Sequence, residues 1–209
     1  FDRLFAFGID PDASGLPQDQ PDDWPRLDQV LAYNAHVRRT LDSALERVPE
    51  QLLHVAIEHR LMHAETLAYM FHNLPHDHKS APRDDGLEVQ TGPAVQPSMV
   101  EIAAGPAVLG RSQADGFGWD NEFPQTTVSV EPFAISTHKV TNREYLAFVE
   151  AGGPAPHFWR RAGDEWLCRG MFRDLPLPLD WPVYVSQEQA AQFAAWKGKR
   201  LPTEAEYHR

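Results

Sequence analysis

The first part of the chain carries a helical pattern of hydrophobic positions. Over residues 26–48 the apolar side chains recur at about 100° per residue, which predicts an amphipathic helix with one buried stripe. A second helix is predicted over residues 50–73, between Pro49 and the Leu74-Pro75 pair. It is apolar around most of its circumference, which is typical of a helix surrounded by protein. One neighbouring helix cannot cover a helix that is apolar on most sides. We therefore infer a bundle whose other helices are missing from this chain or supplied by another one.

The pattern changes in the second half of the chain. Residues 76–98 are rich in Pro, Gly, Asp and Ser, which indicates an interdomain linker. We therefore divide the chain into a helical bundle over residues 1–75, this linker, and an α+β domain over residues 99–209. Short strands are predicted near residues 99–103, 107–109, 126–130 and 133–136.

Three capping boxes predict helix starts in the second domain. In each, a serine or threonine is followed three residues later by a glutamate or glutamine, and the two side chains cap each other's backbone N–H groups. The pairs are Thr141 with Glu144, Ser186 with Gln189, and Thr203 with Glu206. The third helix has barely begun when the chain stops at Arg209, so we expect both domains to be partial, the second truncated at its C-terminus.

Composition and charge exclude several classes of protein. The 209 residues include 19 basic and 30 acidic side chains, and this net charge of -11 argues against a nucleic-acid binder. No run of about 18 apolar residues is present, so no transmembrane helix is predicted. The single cysteine, Cys168, cannot form an internal disulfide, which favours a cytoplasmic setting.

The sharpest local signal is a histidine pair on the second helix. His59 and His63 are four residues apart, so their rings project from one helix face about 6 Å apart. Two imidazoles at this spacing can bind one metal ion, as in other helical His-x-x-x-His sites. The alternative is that hydrogen bonds within the bundle satisfy both histidines. Spacing alone leaves both interpretations open.

The sequence supplies no convincing third ligand for a metal at this pair. Glu65 lies about 200° around the helix from His63, so a role in packing, or in supporting the ligands without touching the metal, is favoured for it. The remaining histidines are no better placed. His36 points away from the apolar stripe of its own helix, His54 and His72 lie off the face of the pair, and His76 and His78 lie in the linker.

Two features of the second domain admit a chemical and a structural interpretation. Asp120-Asn121-Glu122 lies in a glycine-rich loop and could hold a hard cation through oxygen atoms, but a turn in which these side chains bond backbone groups is favoured. The tryptophans could frame a pocket for a quaternary ammonium group, although core packing is favoured for any single one. They are Trp119, Trp159, Trp166, Trp181 and Trp196.

Several motifs together resemble known families. Five stretches of the second domain resemble the formylglycine-generating-enzyme-type domain, which has a C-type-lectin-like fold. They are Met99-Val100-Glu101-Ile102 through Gly110, Trp119-Asp120-Asn121-Glu122, Val140-Thr141-Asn142-Arg143-Glu144-Tyr145, Pro182-Val183-Tyr184-Val185-Ser186 and Gly198-Lys199-Arg200-Leu201-Pro202-Thr203-Glu204-Ala205-Glu206. The helix with His59, His63 and Glu65 resembles the metal-binding helix of a DinB-like four-helix bundle. This combination of domains resembles the sulfoxide synthases of ergothioneine biosynthesis.

That resemblance implies a non-haem iron(II) enzyme. The family uses dioxygen to join the sulfur of a thiol, cysteine or γ-glutamylcysteine, to C2 of the imidazole of hercynine. It implies that His59 and His63 are two of three histidine ligands to iron, with the third on an earlier helix, before residue 1. It also implies a proton-donating tyrosine beyond residue 209, so no catalytic residue is assigned here. The iron is expected where the two domains meet.

The chain departs from this family between the two histidines. Many members carry polar residues where this chain has Arg60-Leu61-Met62, and one of those positions can contact hercynine. Met62 is therefore a candidate substrate contact that cannot donate a hydrogen bond. This leaves open a selenoneine synthase, which joins selenium from a selenosugar to hercynine. A non-catalytic lectin-like binding module also stays open, whereas a formylglycine-generating oxidase is disfavoured because it needs cysteines that this segment lacks.

Overall fold

The computed structural model describes residues 21–83, 89, 94 and 96–209. Residues 1–20 of the predicted bundle lie outside this part of the chain, as do several residues of the predicted linker. The chain divides into two compact units, Phe1–Ile57 and Glu58–Arg209. The predicted division into bundle, linker and second domain stays a prediction.

Both helices predicted from the periodic pattern are present. Helix α1 spans Leu27–Ala44 and continues into a 3-10 turn at Leu45–Arg47. Helix α2 spans Glu50–Asn73. Proline limits both helices, because Pro49 follows the turn and the Leu74-Pro75 pair follows α2, and proline cannot donate a helical hydrogen bond.

The apolar surface of α2 is not covered in the described part of the chain. None of its residues is buried. The exposed large apolar side chains of α2 are Leu52, Ile57, Leu61, Met62, Leu67, Tyr69, Met70 and Phe71. The DinB-like bundle that would cover them therefore stays a prediction. Neither α2 nor any other described helix is both long and apolar enough to span a bilayer.

All four predicted strands are present and form two antiparallel pairs. Strand β1, Met99–Ile102, pairs with β4, Phe133–Ser136. Strand β2, Gly105–Leu109, pairs with β3, Thr126–Val130. The mixture of helix and sheet agrees with the predicted α+β class for this domain.

A three-stranded antiparallel sheet was not predicted. It consists of β5, Trp159–Ala162, β6, Glu165–Arg169, and β7, Asp174–Pro176, in the order β5-β6-β7. Ala162 pairs with Glu165, so a two-residue turn joins β5 to β6. Gly163 in that turn has φ +61°, a left-handed conformation that glycine adopts without steric cost.

The three capping boxes are confirmed, and each starts a helix of the second domain. The helices are α3, Asn142–Glu150, α4, Gln187–Trp196, and α5, Glu204–His208. In the first box the Glu144 N–H donates to Thr141 Oγ1 at 3.3 Å, and the Thr141 N–H donates to Glu144 Oε2 at 3.1 Å. These reciprocal bonds satisfy donors that the first turn of a helix leaves unpaired.

The core of the second domain is aromatic. Tyr145 and Phe148 of α3 pack with Phe193 of α4 and with Trp159 of β5. Tyr145 is fully buried, and its hydroxyl donates to the Pro154 carbonyl at 3.2 Å. Trp159 is thus a core residue, as the packing interpretation predicted.

Candidate metal centre

His59 and His63 lie side by side on one face of α2. Their ring centroids are 4.6 Å apart and the ring planes are inclined by 57°. Both side chains are exposed in the described part of the chain. The predicted adjacency of the two rings is therefore present, because the four-residue spacing places them one helical turn apart.

The donor set of this pair suits a first-row transition metal. Imidazole nitrogens bind iron(II), and two of them from one helix leave most coordination positions open for other ligands. Among the described residues, no group of three or more histidine, cysteine, aspartate or glutamate side chains is placed to hold a metal ion. The pair thus fits part of an iron site, and its completion by a third histidine stays a prediction.

The other sequence candidates on α2 lie near the pair but are not shown to act with it. Glu65 and Met62 are exposed on the helix surface. The Met62 carbonyl accepts a hydrogen bond from Thr66 Oγ1 at 2.9 Å, which is a local helical contact. His54 Nε2 lies 3.7 Å from Oε1 of Glu50, a residue one helical turn earlier in α2. The roles proposed for Glu65 and Met62 stay predictions.

A junction that the sequence did not reveal holds the C-terminal end of α2 against the second domain. The Lys79 ammonium donates to the carbonyls of Phe71 and His72, at 3.0 and 3.2 Å, and to the carbonyl of Met171. It also lies 5.5 Å from the centre of the Phe71 ring. Partial burial, and after it the charge of Arg169, lower the pKa of Lys79.

Arg169, at the end of β6, supplies the second cation of this junction. Its Nε donates to the His72 carbonyl at 3.1 Å and its Nη2 donates to the Leu74 carbonyl at 2.6 Å. The last carbonyls of a helix have no partner within the helix and carry partial negative charge, so cations are favoured there. We name the contacts of Lys79 and Arg169 with these carbonyls the helix-end clamp.

Aromatic contacts accompany the helix-end clamp. The His72 ring meets the edge of Phe158 with centroids 4.8 Å apart, and Phe71 meets Phe172 at 5.9 Å. Partial burial lowers the pKa of His72, and the charges of Arg169 and Lys79 lower it further. The sequence placed His72 off the face of the imidazole pair. In the structure His72 packs the end of α2 against the second domain.

The imidazole pair and the docking contact lie on different sides of α2. His72 follows His63 by nine residues, which places it about 180° around the helix. The contact of the His72 ring therefore does not lie on the face of the pair. The expectation that the iron lies between two domains stays a prediction.

The Asp120-Asn121-Glu122 segment forms a 3-10 turn. Glu122 Oε2 accepts from the Trp119 N–H at 2.7 Å, and Asp120 Oδ1 accepts from the Asn121 N–H at 2.9 Å. These side-chain-to-backbone bonds are those that the turn interpretation predicts.

A cavity lies within the second domain. It has a volume of about 900 Å³ and is walled by apolar residues that include Ile135, Val140, Val183, Phe193 and Leu201. None of the residues that line it lies on α2. It is therefore separate from the imidazole pair.

The second domain is a sulfatase-modifying factor enzyme 1-like domain. Residues 87–209 match the family of that description, which is more than half of the chain, and the chain belongs to this family. The prediction of a formylglycine-generating-enzyme-type domain is thereby confirmed.

Similarity to individual proteins extends beyond this domain. Ergothioneine biosynthesis protein 1 of Neurospora crassa is 28% identical over 97% of this chain and 30% of its own length. Hercynine oxygenase of Mycobacterium tuberculosis is 33% identical over 87% of this chain and 48% of its own length. The formylglycine-generating enzyme of Thermomonospora curvata is 30% identical over 60% of this chain and 50% of its own length.

The extent of these matches separates two groups of relatives. A match over 97% of the chain extends across α2, whereas a match over 60% is comparable in extent to the second domain alone. The homology thus confirms the resemblance to the ergothioneine sulfoxide synthases that the sequence motifs indicated. The chain spans about a third to a half of the length of these relatives.

Proposed function

We propose that this chain is part of a non-haem iron(II) enzyme that joins the sulfur of cysteine or γ-glutamylcysteine to C2 of the hercynine imidazole, with dioxygen as the oxidant. The observation that carries the proposal is the His59–His63 pair, with ring centroids 4.6 Å apart on one face of α2. Relatives named for hercynine oxygenation and ergothioneine biosynthesis support it, because their similarity extends across that helix.

Each candidate residue of the chain would have its own role in the reaction. His59 and His63 would hold the iron together with a third histidine from elsewhere in the whole protein. The bound iron would supply the activation of dioxygen. Glu65 would hold the ligand helix in place without touching the metal. Met62 would line the hercynine site, where its apolar side chain excludes water but donates no hydrogen bond.

The proposal is tested on the whole protein by metal analysis and by oxygen uptake with hercynine and each candidate donor. We expect one iron per protein and oxygen uptake that depends on hercynine. His59→Ala and His63→Ala should each lose the iron and this uptake, because two of the ligands share one helix face. His54→Ala is the matched control, since it removes an exposed histidine of the same helix outside the pair.

Two outcomes would contradict the proposal. If His59→Ala and His63→Ala retain iron as His54→Ala does, the pair does not bind the metal. If hercynine binds but no donor supports oxygen uptake, the chain is better described as a non-catalytic lectin-like binding module.

Selenium is the second candidate for the atom transferred. The Arg60-Leu61-Met62 stretch favours it only in so far as Met62 replaces a polar contact to the substrate. Competition between a thiol and a selenosugar in one reaction distinguishes the two activities, because the ratio of the C–S and C–Se products reports the preference directly.

A further inference from the structure

The end of α2 is held by more charged contacts than a helix terminus requires. A C-terminal carbonyl is commonly satisfied by water or by a glycine cap. Here the carbonyls of Phe71, His72 and Leu74 accept from two side-chain cations, and His72 accepts from both. Hydrogen bonds from charged groups are stronger than neutral ones, so this terminus is unusually well fixed.

The two cations reach the helix end from different parts of the chain. Arg169 belongs to β6, which pairs with β5 and β7. Lys79 follows the helix, and it also donates to the Met171 carbonyl beyond β6. His76 adds a hydrogen bond with the Gly170 carbonyl at 3.2 Å. The last turn of α2 is therefore tied to the end of β6 and to the loop after it.

The direction of α2 decides where the imidazole pair lies. His63 precedes His72 by nine residues, about 13 Å along the helix axis at 1.5 Å per residue. A rotation of about 10° at the clamped turn would move His63 by about 2 Å and His59 by more than that. A misplacement of about 1 Å can lower a catalysed rate about 100-fold, so such a rotation is large for an active site.

We propose that Lys79 and Arg169 are positioning residues, which fix the direction of α2 on the β5–β7 sheet and so the place of His59 and His63 relative to the second domain. This role rests on the proposed function, because it assumes that the pair binds the metal at which the reaction occurs. Neither cation touches the metal or a substrate.

The experiment compares Arg169→Met and Lys79→Met with Arg161→Met in the whole protein. Arg161 lies on β5 and its contacts are local, with the Gly163 carbonyl and the Trp166 ring, so it is the matched control. Three quantities are measured: amide hydrogen exchange over residues 70–79, binding of Co²⁺ at the imidazole pair, and product formed per oxygen consumed. Arg169→Lys serves as the conservative variant.

The first two quantities test whether the clamp holds the helix. We expect exchange over residues 70–74 to rise about tenfold or more in Arg169→Met and Lys79→Met, because each loses charged hydrogen bonds to the last carbonyls. Arg161→Met should leave it unchanged. Affinity for Co²⁺ should change less than about threefold, because the spacing of His59 and His63 within the helix is kept.

The third quantity separates positioning from stability. Product per oxygen should fall at least about tenfold in both methionine variants, and Arg169→Lys should recover part of it. A merely structural loss would lower the amount of folded enzyme but leave this ratio unchanged.

Three results would overturn the proposal. Exchange in Arg169→Met and Lys79→Met that matches Arg161→Met would show that the clamp does not hold the helix. A raised exchange rate with an unchanged ratio of product to oxygen would show a junction without a positioning role. A wild-type protein that consumes no oxygen with hercynine would overturn the proposed function, and with it the positioning role that rests on it. The exchange rates of the variants would still show whether the clamp holds the helix, so this failure is distinguished from a failure of the clamp.

Discussion

Replacing Asn142 by alanine tests how the second domain fixes the first turn of α3. Asn142 is only 3% exposed, and its Nδ2 donates to the carbonyl of Pro178 at 2.7 Å. Pro178 is itself buried, and its carbonyl also accepts from the Trp181 N–H at 3.1 Å, so the substitution would remove one of the two hydrogen bonds that this carbonyl accepts. The net contribution of a typical intramolecular hydrogen bond to stability is about 0.5–1.5 kcal/mol.

The expected loss can be compared with a neighbouring residue that holds the same loop. Arg143 forms an ion pair with Asp180 at 3.1 Å, but 47% of its side chain is exposed. Exposed ion pairs contribute about 0–1 kcal/mol, so Arg143→Ala should lower the free energy of unfolding by no more than that. Asn142→Ala should lower it by about 1.5–2.5 kcal/mol once the small void left by the amide, about 1 kcal/mol, is included.

Thermal and urea unfolding measure the difference. For a unit of about 150 residues, 1 kcal/mol corresponds to about 2–4 °C, so we expect Tm to fall by about 3–10 °C in Asn142→Ala and by less than about 4 °C in Arg143→Ala. Asn142→Asp keeps the shape but removes the donor, and should be at least as unstable as Asn142→Ala. If Asn142→Asp is as stable as wild type, or if the two alanine variants agree within about 0.5 kcal/mol, the buried hydrogen bond does not have the role assigned to it.

Three further predictions concern titrating groups. The hydrogen bond from Arg200 lowers the pKa of Glu206 to about 2 from 4.5. This pair therefore stabilises the fold above pH 4.5, and the contribution is lost as pH falls toward 2. Unfolding of Glu206→Gln and of wild type across that pH range measures the contribution. Burial raises the pKa of the Cys168 thiol, so iodoacetamide should alkylate it more slowly at neutral pH than it alkylates the unfolded chain; equal rates would contradict this. Partial burial lowers the pKa of His72 below 6.5. The unfolded chain therefore takes up the proton first, and stability falls as pH drops below 6.5. Urea titrations of wild type and His72→Gln should show that the variant lacks this contribution of His72 to the pH dependence of stability.

Local sequence signals were sufficient for most of the fold. The capping boxes predicted the starts of α3, α4 and α5 because a capping box depends on residues only three apart. Helices α1 and α2 were predicted from the helical period of their apolar positions and from the prolines that follow them. Strands β1 to β4 followed from short apolar runs between turn residues.

The β5–β7 sheet was missed because its sequence is rich in charge. Arg160 and Arg161 occupy half of β5, and no apolar alternation is visible there. The turn between β5 and β6 did carry a signal, since Gly163-Asp164 is a two-residue pair of the kind that closes hairpins. A search for such pairs between charged segments would have found the hairpin.

The candidate site was predictable only in part for a related reason. The four-residue spacing of His59 and His63 is readable from any helical sequence, and it gave their adjacency. The helix-end clamp was not readable, because Lys79 and Arg169 bind backbone carbonyls, and a carbonyl acceptor has no residue type. Arg169 and the His72 carbonyl are 97 positions apart in the chain, a separation that only the folded structure removes.

The exposure of the two imidazoles on a single helix has a consequence for metal selectivity. A bidentate chelate of this kind prefers Cu²⁺, Ni²⁺ and Zn²⁺ to Fe²⁺, in the general order of divalent affinities. Nickel resin would retain the chain without an added tag, and trace zinc in a buffer would compete for the same nitrogens. Iron specificity in the proposed centre would therefore have to come from ligands and surroundings beyond this helix, and from the supply of metal in the cell.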